Sequence, residues 1–471
     1  MEAKILFGDV EVGKTKIGEI RNPYTSRVVS RYPQCDVSDA EEALKIAQEA
    51  FRKNRDIPLS QRVAWLEDVI AGLEEEKEDM ARTIMEEVGK PIHFARIEVE
   101  RCIETLKLSI TAGVEMHGET FNSDAMPSGR KTISFYRRVP VGVAVLITPF
   151  NFPLNLIAHK LGPALIAGNS VVIKPTPEAP VTAYKFARLF VRSAHRSPNA
   201  VSVVYCDAEV GSTLVKSPIP RVISFTGSVP VGKIIMSQAG IKKVALELGG
   251  NAATFIDKSA DLESAAKKCA YGSFYNSGQV CISLQRIYVH ADIADRFASL
   301  MAQEAAMLKV GDPADEETFL GPLINEEAAE RAQKWVESAI EEGAQALCGG
   351  KREGKIFPPT VMHRVTDAMN IVCEEVFAPI VSIVEVKDFD EALGKINDSP
   401  YGLQYSIFTN DLKNTQRAIE EFECGGVVIN DIPTVRFDIQ PYGGSKLSGI
   451  GKEGPKYALE EFTEIKSIVI C

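Results

Sequence analysis

The sequence predicts an α/β protein built around a doubly wound parallel sheet. From Val141 onward, short apolar runs alternate with segments of helix length, as in VGVAVLI, LNLIAHKLGPALIAG and SVVIKP. Helices of this length connect parallel strands and cover both faces of a sheet. A second series of the same kind follows Leu248, and 471 residues with 45% hydrophobic content are enough for two large domains with their own cores.

The region before this alternation is predicted to be mostly helical as far as about Gly118. Ser38–Glu41 has the pattern of a capping box, and apolar residues then follow at the spacing of one helix face. A strongly amphipathic segment is predicted to end at Gly89, and a further helix to begin at Arg96. We expect these helices to have a packing role.

Three predicted strands of the first series end in loops that are rich in proline, glycine and threonine. These loops are TPFNFP after Ile147, KPTPEAP after Ile173 and TGSVPVG after Phe225. Ligands of open parallel sheets bind outside the carboxyl ends of the strands. We therefore expect the three loops to line one crevice.

The second series contains the predicted strands RIYVH, IVSIVEV and YSIFT with helices between them. The last residues, EFTEIKSIVIC, alternate weakly between polar and apolar side chains. This pattern predicts a strand that pairs with another element or with another chain.

Composition excludes several classes of function. The chain has 53 Lys and Arg against 64 Asp and Glu, a net charge of −11 and no basic block, so nucleic acid is not expected as a partner. Without a signal-peptide pattern or an apolar run of the ~20 residues that a span needs, a cytoplasmic protein with no membrane partner is predicted. The nine cysteines form no CxxC pair or Cys/His cluster, so neither a disulfide framework nor a metal site is expected.

Three residues stand in unusual local sequences. Cys281 in NSGQVCIS follows Gly and Ser, which indicates a loop, although an isolated cysteine is more often a core residue. Glu247 is the one carboxylate in the apolar strand VALELGGN, where burial would raise its pKa towards that of a general base; a solvated strand end or an ion pair is the alternative. Asn151 in PFNFP is held stiffly between aromatic residues and prolines, or simply forms a turn.

From about residue 20 to the C-terminus, a series of motifs occurs in one order and spacing: PFNFP, KLGPAL, GNSVVIKP, FTGS, LELGGN, GQVCIS, GPLI, EEVFAP, YGL and GGSKLSG. Through these motifs the chain resembles the aldehyde dehydrogenase superfamily. Its sequence is most similar to the branch of lactaldehyde and non-phosphorylating glyceraldehyde-3-phosphate dehydrogenases. The resemblance implies an aldehyde dehydrogenase-like α/β fold.

The resemblance also implies the chemistry. The thiolate of Cys281 attacks the aldehyde, and the oxyanion is stabilised by the Asn151 amide and the Cys281 backbone N–H. Hydride then passes to the nicotinamide and leaves a thioester. Glu247 activates the water that hydrolyses this thioester to the carboxylate product.

A binding site for NAD or NADP is implied as well. Lys174 matches the lysine at the adenosine ribose, Gly227 and Ser228 approach the pyrophosphate at a helix N-terminus, and Glu375 matches the ligand of the nicotinamide ribose, with Phe377 nearby. The other residues expected at the cofactor are Thr148, Pro149, Phe150, Thr176, Pro177, Gly211, Phe225, Thr226, Leu248 and Gly249.

The loop KPTPEAP departs from the KPxE motif of many NAD-preferring members, because Pro177 stands in the place of the glutamate and Glu178 follows one residue later. The missing carboxylate removes a hydrogen-bond acceptor for NAD and also the repulsion that excludes a 2′-phosphate. We therefore expect NADP to be tolerated or preferred.

The expected substrate is a small polar aldehyde, either hydroxylated or anionic, such as lactaldehyde or glyceraldehyde-3-phosphate. Val280 stands where several branches that handle phosphorylated aldehydes carry arginine. Arg101, Asn155 and Arg436 are nevertheless predicted to face the substrate, with a surface position as the alternative for both arginines.

By resemblance, residues 1–118 and 138–248 form the cofactor domain, residues 249–430 the catalytic domain, and residues 119–137 with 458–471 a small β arm for a homodimer or homotetramer. Three other functions are weighed. A CoA-acylating enzyme would typically lack the glutamate that Glu247 matches. A non-catalytic protein would be expected to lose at least one of Cys281, Asn151 and Glu247. A thiol hydrolase or redox protein built on Cys281 would need a partner histidine or cysteine.

Overall fold

The computed structural model describes residues 1–471, which form two large sheets, three small ones and fifteen α-helices. The strands are β1 Ile5–Phe7, β2 Val10–Val12, β3 Ile17–Arg21, β4 Val28–Pro33, β5 Thr120–Phe121, β6 Ile133–Pro140, β7 Val143–Ile147, β8 Ser170–Lys174, β9 Val201–Val203, β10 Pro220–Thr226, β11 Lys243–Glu247, β12 Ala252–Ile256, β13 Leu284–His290, β14 Gln345–Cys348, β15 Thr360–His363, β16 Ile380–Val386, β17 Tyr401–Gly402, β18 Gln404–Phe408, β19 Gly426–Ile429, β20 Ser445–Lys446, β21 Gly449–Ile450 and β22 Thr463–Ile470. The helices are α1 Val37–Asn54, α2 Leu59–Glu75, α3 Lys77–Val88, α4 Ile92–Glu115, α5 Asn155–Ile166, α6 Pro180–Arg192, α7 Ala208–Lys216, α8 Val229–Gln238, α9 Leu262–Phe274, α10 Ala294–Ala306, α11 Glu326–Glu341, α12 Asn370–Cys373, α13 Phe389–Asn397, α14 Leu412–Glu421 and α15 Pro455–Glu461.

The first sheet has eight strands in the order β2-β1-β9-β8-β7-β10-β11-β21. Its five central strands, from β9 to β11, are mutually parallel. Every residue of β7 is buried, as expected for a parallel strand that is covered by helices on both faces. The predicted doubly wound sheet is confirmed.

The second sheet has seven strands in the order β14-β15-β16-β13-β12-β18-β19. All of its pairs are parallel except β14 with β15. Helices α9 and α10 contribute to the core on one face of this sheet, and α11 and α13 to the core on the other. A second α/β unit after Leu248 is therefore confirmed.

Strands β8, β7 and β10, which precede the three predicted ligand loops, are neighbours in the first sheet. Because they are parallel, their carboxyl ends meet at one edge, and the loops that follow Ile147, Ile173 and Phe225 emerge side by side. This edge faces the second sheet's unit, and a cavity separates the two.

A three-stranded antiparallel sheet, in the order β22-β6-β5, forms a β arm. The C-terminal strand β22 pairs with β6 along its whole length, from Thr463 opposite Pro140 to Ile470 opposite Ile133. The C-terminal residues therefore pair with another element, as their sequence predicts.

Local details differ from the sequence predictions at three places. The capping box of α1 is formed by Asp36 and Asp39 and not by Ser38–Glu41, because Asp36 already satisfies the first free backbone N–H groups of the helix. The amphipathic segment that ends at Gly89 is two helices, interrupted at Glu76. Glu247 is the last residue of its strand and not an interior one.

No helix is both long and apolar enough to cross a membrane. No three His, Cys, Asp or Glu side chains lie together in a way that could hold a metal ion.

Candidate active site

The loop that carries Cys281 is an irregular turn in which three consecutive residues have left-handed backbone conformations. The φ angles are 51° at Asn276, 56° at Ser277 and 69° at Gly278. Side chains other than glycine rarely adopt such angles, so the loop must be held by its surroundings. A Cβ atom at Gly278 would lie 2.2 Å from the carbonyl oxygen of Ala378, which explains why glycine stands there.

Hydrogen bonds fix this turn both within its own unit and against the first sheet's unit. Ser277 Oγ donates to the carbonyl of Gly321 at 2.9 Å. The side-chain amide of Asn151 donates to the carbonyl of Gln279 at 3.0 Å, and Asn276 Nδ2 donates to the backbone oxygen of Asn151 at 3.3 Å. Asn151, which the sequence links to the nucleophile only by resemblance, is thus in direct contact with the Cys281 loop.

The cavity between the two sheets has a volume of about 340 Å³ and brings the predicted catalytic residues together. Cys281, Glu247 and Asn151 all line it. The predicted cofactor residues that line it are Pro149, Phe150, Thr226, Gly227, Ser228, Leu248, Gly249, Glu375 and Phe377. All three predicted substrate residues, Arg101, Asn155 and Arg436, line it as well.

The Cys281 thiol is partly buried, and its sulfur lies 2.8 Å from the hydroxyl oxygen of Tyr442. Burial raises the pKa of the thiol to about 11, while the Tyr442 hydrogen bond and the charge of Arg436 act in the opposite direction. The negative charges of Glu375 and Glu247 act in the same direction as burial and contribute to this value. The free thiol is therefore mostly protonated at neutral pH.

Glu247 ends β11 with its side chain buried, and its Oε2 atom has no hydrogen-bond partner in the protein. Burial raises the pKa of this carboxyl well above its usual value, and the charge of Glu453 adds to the effect. Lys160, Arg436 and Lys452 oppose the shift without cancelling it. A carboxylate with a raised pKa is a stronger base, and the free oxygen of Glu247 is available to take a proton from water.

A group of polar and charged side chains, here called the charged cluster, lies beside the cavity near Cys281, and Arg101, Arg436 and Glu453 of this cluster line the cavity itself. Its members are Arg101, His159, Lys160, Arg436, Asp438 and Glu453.

The ion pairs of the charged cluster hold both arginines in place. The guanidinium of Arg101 donates two hydrogen bonds to Asp438, at 2.7 and 3.1 Å. Arg436 donates to Glu453 at 3.2 Å, and Lys160 donates to the same carboxylate at 2.6 Å. Although burial opposes ionisation, Lys160 leads the groups that lower the pKa of Glu453 to about 2.

The other acidic member, Asp438, also stays ionised, because hydrogen bonds from His159 and Arg101 and the positive charge of Arg101 outweigh its burial and lower its pKa. His159 itself is fully buried, and burial with the nearby charge of Arg436 lowers its pKa, so its imidazole is neutral at pH 7. The charged cluster therefore contains two ionised carboxylates and one neutral imidazole.

The sequence comparisons agree with this geometry. The model of the aldehyde dehydrogenase family matches residues 11–468. The chain belongs to the aldehyde dehydrogenase family.

Named members of the family are similar to almost the whole chain. The 3-sulfolactaldehyde dehydrogenase of Priestia aryabhattai is 44% identical over 96% of this chain and 94% of its own length. The lactaldehyde dehydrogenase of Methanococcus aeolicus is 39% identical over 96% and 97%. The structure of glyceraldehyde-3-phosphate dehydrogenase GapN from Methanocaldococcus jannaschii, complexed with NADP, superposes with a TM-score of 0.91 at 39% identity, covering 96% of this chain and 98% of that one.

Like its family, this aldehyde dehydrogenase is an NAD(P)-dependent oxidoreductase. The residues at the carboxyl ends of the first sheet's strands fit a dinucleotide. Thr148 Oγ1 is buried without a hydrogen-bond partner, and no side chain caps the N-terminus of α8 at Ser228, so polar groups are free for a ligand. Gly249 leaves space beside Glu375, since a Cβ atom there would lie 2.3 Å from the carboxylate. Glu375 accepts a hydrogen bond from the Gly250 N–H, and burial raises its pKa to about 7.

Lys174, Thr176, Pro177 and Gly211, which are also predicted at the cofactor, do not line the cavity that contains Cys281. Lys174 ends β8, and its side chain passes Gly211 of α7, where a Cβ atom would lie 3.5 Å from the lysine Cε. Thr176 donates a hydrogen bond to Glu178. The carboxylate that follows Pro177 is thus held by its own loop.

The sequence did not predict Tyr442 or four members of the charged cluster, namely His159, Lys160, Asp438 and Glu453. A signal existed for two of them, because His159 and Lys160 lie within LNLIAHKLGPALIAG, an otherwise apolar helix that is buried on every side. Charges at such positions need partners from elsewhere in the chain. The identity of those partners is visible only in the fold.

Proposed function

We propose that this aldehyde dehydrogenase oxidises a small anionic hydroxyaldehyde to its carboxylate, with NADP as the cofactor. The observation that carries the proposal is that the guanidinium groups of Arg101 and Arg436 line the same small cavity as the Cys281 thiol. An arginine fork matches the oxygens of a phosphate, sulfonate or carboxylate. The distal anion of a short aldehyde can reach these groups while its carbonyl carbon lies at the sulfur.

The balance of charge supports an anionic substrate. In the charged cluster, three cationic side chains, Arg101, Lys160 and Arg436, face two ionised carboxylates, Asp438 and Glu453. The charged cluster taken by itself therefore carries an excess of one positive charge. A substrate with one or two negative charges would neutralise that excess in a region from which water is largely excluded.

The relatives support the same class of substrate. 3-Sulfolactaldehyde carries a sulfonate and glyceraldehyde-3-phosphate a phosphate, each on a three-carbon hydroxyaldehyde. Lactaldehyde, named for the relative from Methanococcus aeolicus, has the same chain length without the anion. All three fit a cavity of about 340 Å³, so the two arginines rather than the volume would select the anion.

In the proposed mechanism the Cys281 thiolate adds to the aldehyde carbon, and the Asn151 amide with the Cys281 backbone N–H stabilises the oxyanion. When bound, the nicotinamide accepts the hydride that leaves this carbon. Glu247 then takes a proton from a water molecule, which attacks the thioester carbon, and the C–S bond breaks with its electron pair remaining on sulfur. The free oxygen of Glu247 is available for that water.

NADP is proposed as the cofactor because Pro177 takes the place of a carboxylate that would repel the 2′-phosphate. Lys174 is its proposed partner at the adenosine ribose, and the GapN relative is complexed with NADP. The Thr176 hydrogen bond to Glu178 supports this assignment, since it holds the nearest carboxylate within the loop.

The test compares kcat/KM for glyceraldehyde-3-phosphate with kcat/KM for lactaldehyde in the wild type and in Arg101→Met. A hydrogen bond to a charged group contributes about 1.5–3 kcal/mol, so the ratio should fall by roughly tenfold to a hundredfold. Lys107→Gln is the matched control, because it removes an exposed positive charge from the same helix outside the cavity. An unchanged ratio in Arg101→Met would refute the anion site.

We further propose a homodimer or homotetramer assembled through the β arm. Strand β22 and its neighbours expose Phe121, Ile133, Ile465 and Val469, and exposed apolar side chains on a sheet are typical of an interface. The nine free cysteines support a cytoplasmic location, where thiols stay reduced.

The division into domains is also a proposal. Residues 1–118 and 138–248 supply the first sheet's parallel strands, which supports their assignment as the cofactor domain, and residues 249–430 supply the second sheet, which supports a catalytic domain. Residues 119–137 and 458–471 supply most of the β arm.

A further inference from the structure

Tyr442 is a buried tyrosine whose hydroxyl group has one hydrogen-bond partner in the protein, the sulfur of Cys281. The two atoms are 2.8 Å apart. The backbone of Tyr442 is held by a pair of hydrogen bonds with Glu453, at 3.0 and 2.6 Å. The position of the hydroxyl at the sulfur is therefore fixed by the fold and not by a flexible side chain.

The hydroxyl group is the donor in this contact once Cys281 has ionised. Burial raises the pKa of Tyr442 well above its usual value, so the phenol keeps its proton at neutral pH. A thiolate can only accept a hydrogen bond. Once Cys281 ionises, the single geometry left is O–H donating to S⁻.

Arg436 strengthens this donor. Its guanidinium carbon lies 3.7 Å from the centroid of the Tyr442 ring, close enough for a cation–π interaction. A cation on the ring face draws electron density away from the hydroxyl and opposes the rise of the tyrosine pKa. Arg436 thereby acts on the sulfur twice, through its own charge and through the phenol.

We propose that Tyr442 is a further catalytic residue, which donates a hydrogen bond to the Cys281 thiolate and so increases the fraction of the reactive form. This inference rests on the proposed role of Cys281 as the nucleophile. No histidine lines the cavity, so no imidazole is present to pair with the thiolate. Around the sulfur, Glu247 and Glu375 oppose ionisation, and Arg436 with Tyr442 favours it.

The test is the rate at which iodoacetamide alkylates Cys281, followed between pH 6.5 and 9.5 by mass spectrometry of the peptide that contains residue 281. Tyr442→Phe removes one oxygen atom and the hydrogen bond. Losing such a bond should raise the thiol pKa by roughly one to two units, which lowers the thiolate fraction at a fixed pH. A more basic thiolate is intrinsically more nucleophilic, which offsets part of this loss. The net effect should be a slowing of alkylation by roughly threefold to tenfold.

Tyr275→Phe is the matched control, because Tyr275 is also a buried tyrosine of the same cavity but makes no hydrogen bond to the sulfur. Its alkylation rate should stay within about twofold of the wild type. Tyr442→Met removes the donor with a different side chain and should match Tyr442→Phe if packing is not the cause. Thermal melts of all three variants verify that they fold.

An unchanged alkylation rate in Tyr442→Phe, or an equal loss in Tyr275→Phe, would overturn the assignment of Tyr442. Failure of the proposed function has a different signature, since a Cys281→Ser variant would then keep its turnover. The two results are independent, because alkylation is measured without substrate or cofactor.

Discussion

The turn before Cys281 offers a stability prediction whose magnitude follows from the structure. Gly278 has a φ of 69°, and a Cβ atom there would lie 2.2 Å from the oxygen of Ala378 and 2.9 Å from the nitrogen of Pro379. These are backbone atoms, which cannot rotate away as a side chain can. We expect Gly278→Ala to force the turn and the segment at residues 378–379 apart.

Two terms contribute to the expected loss. A left-handed conformation costs a residue with a Cβ atom about 1–2 kcal/mol. Overpacking of a closed site adds about 1–3 kcal/mol. Gly278→Ala should therefore lower the free energy of unfolding by about 2–5 kcal/mol, and it should also reduce activity because Cys281 follows three residues later.

The matched control is Gly354→Ala, also in the unit of the second sheet. Gly354 has a φ of 56°, but no atom lies within 4 Å of its would-be Cβ, so only the conformational term of about 1–2 kcal/mol applies. Urea denaturation followed by tryptophan fluorescence measures both variants, with Trp335 of helix α11 reporting on this unit. Equal losses in the two variants would refute the close packing inferred around Gly278.

Three further predictions concern the reaction. Cys281→Ser should abolish aldehyde oxidation but leave NADP binding intact, which a fluorescence titration with the cofactor would measure. Normal turnover in this variant would refute the proposed mechanism. Glu247→Gln should give one burst of reduced cofactor and then stop. Because the pKa of Glu247 is raised, its basic form appears only above the usual titration range of a glutamate, so wild-type thioester hydrolysis should accelerate as pH rises and this acceleration should vanish in the variant. Pro177→Glu should lower the ratio of kcat/KM for NADP to kcat/KM for NAD by at least tenfold. An unchanged ratio would show that this loop does not determine the cofactor preference.

Much of the architecture could be predicted because local sequence decides it. The strand IVSIVEV coincides with β16, since a short run of mainly apolar, β-branched residues, interrupted only by Ser382 and the exposed Glu385, is typical of a strand buried in a parallel sheet. The predicted capping box of α1 was wrong because local sequence offered two candidates. Asp36 and Ser38 are both good capping residues, and the choice between them depends on Lys14, which pairs with both Asp36 and Asp39 from a distant loop.

The residues of the candidate site could be predicted only where they belong to a recognisable motif. Tyr442 lies 161 residues from Cys281, and nothing in QPYGG indicates that its hydroxyl meets the sulfur. Lys160 and Glu453 are 293 residues apart and meet because α5 packs beside the segment before α15. Contacts of this kind depend on how the two sheets are assembled, which the spacing of local patterns does not encode.

The two proposals place opposing demands on Arg436, and the structure suggests how they are reconciled. In the free enzyme its charge lowers the pKa of Cys281, but an anionic substrate bound to the same guanidinium would neutralise that charge at the moment when the thiolate is needed. A neutral donor is not affected in this way. The Tyr442 hydroxyl would keep its hydrogen bond to the sulfur whether or not the arginine is paired, so a site that selects anions through Arg436 needs a phenol, and not a second cation, at its nucleophile.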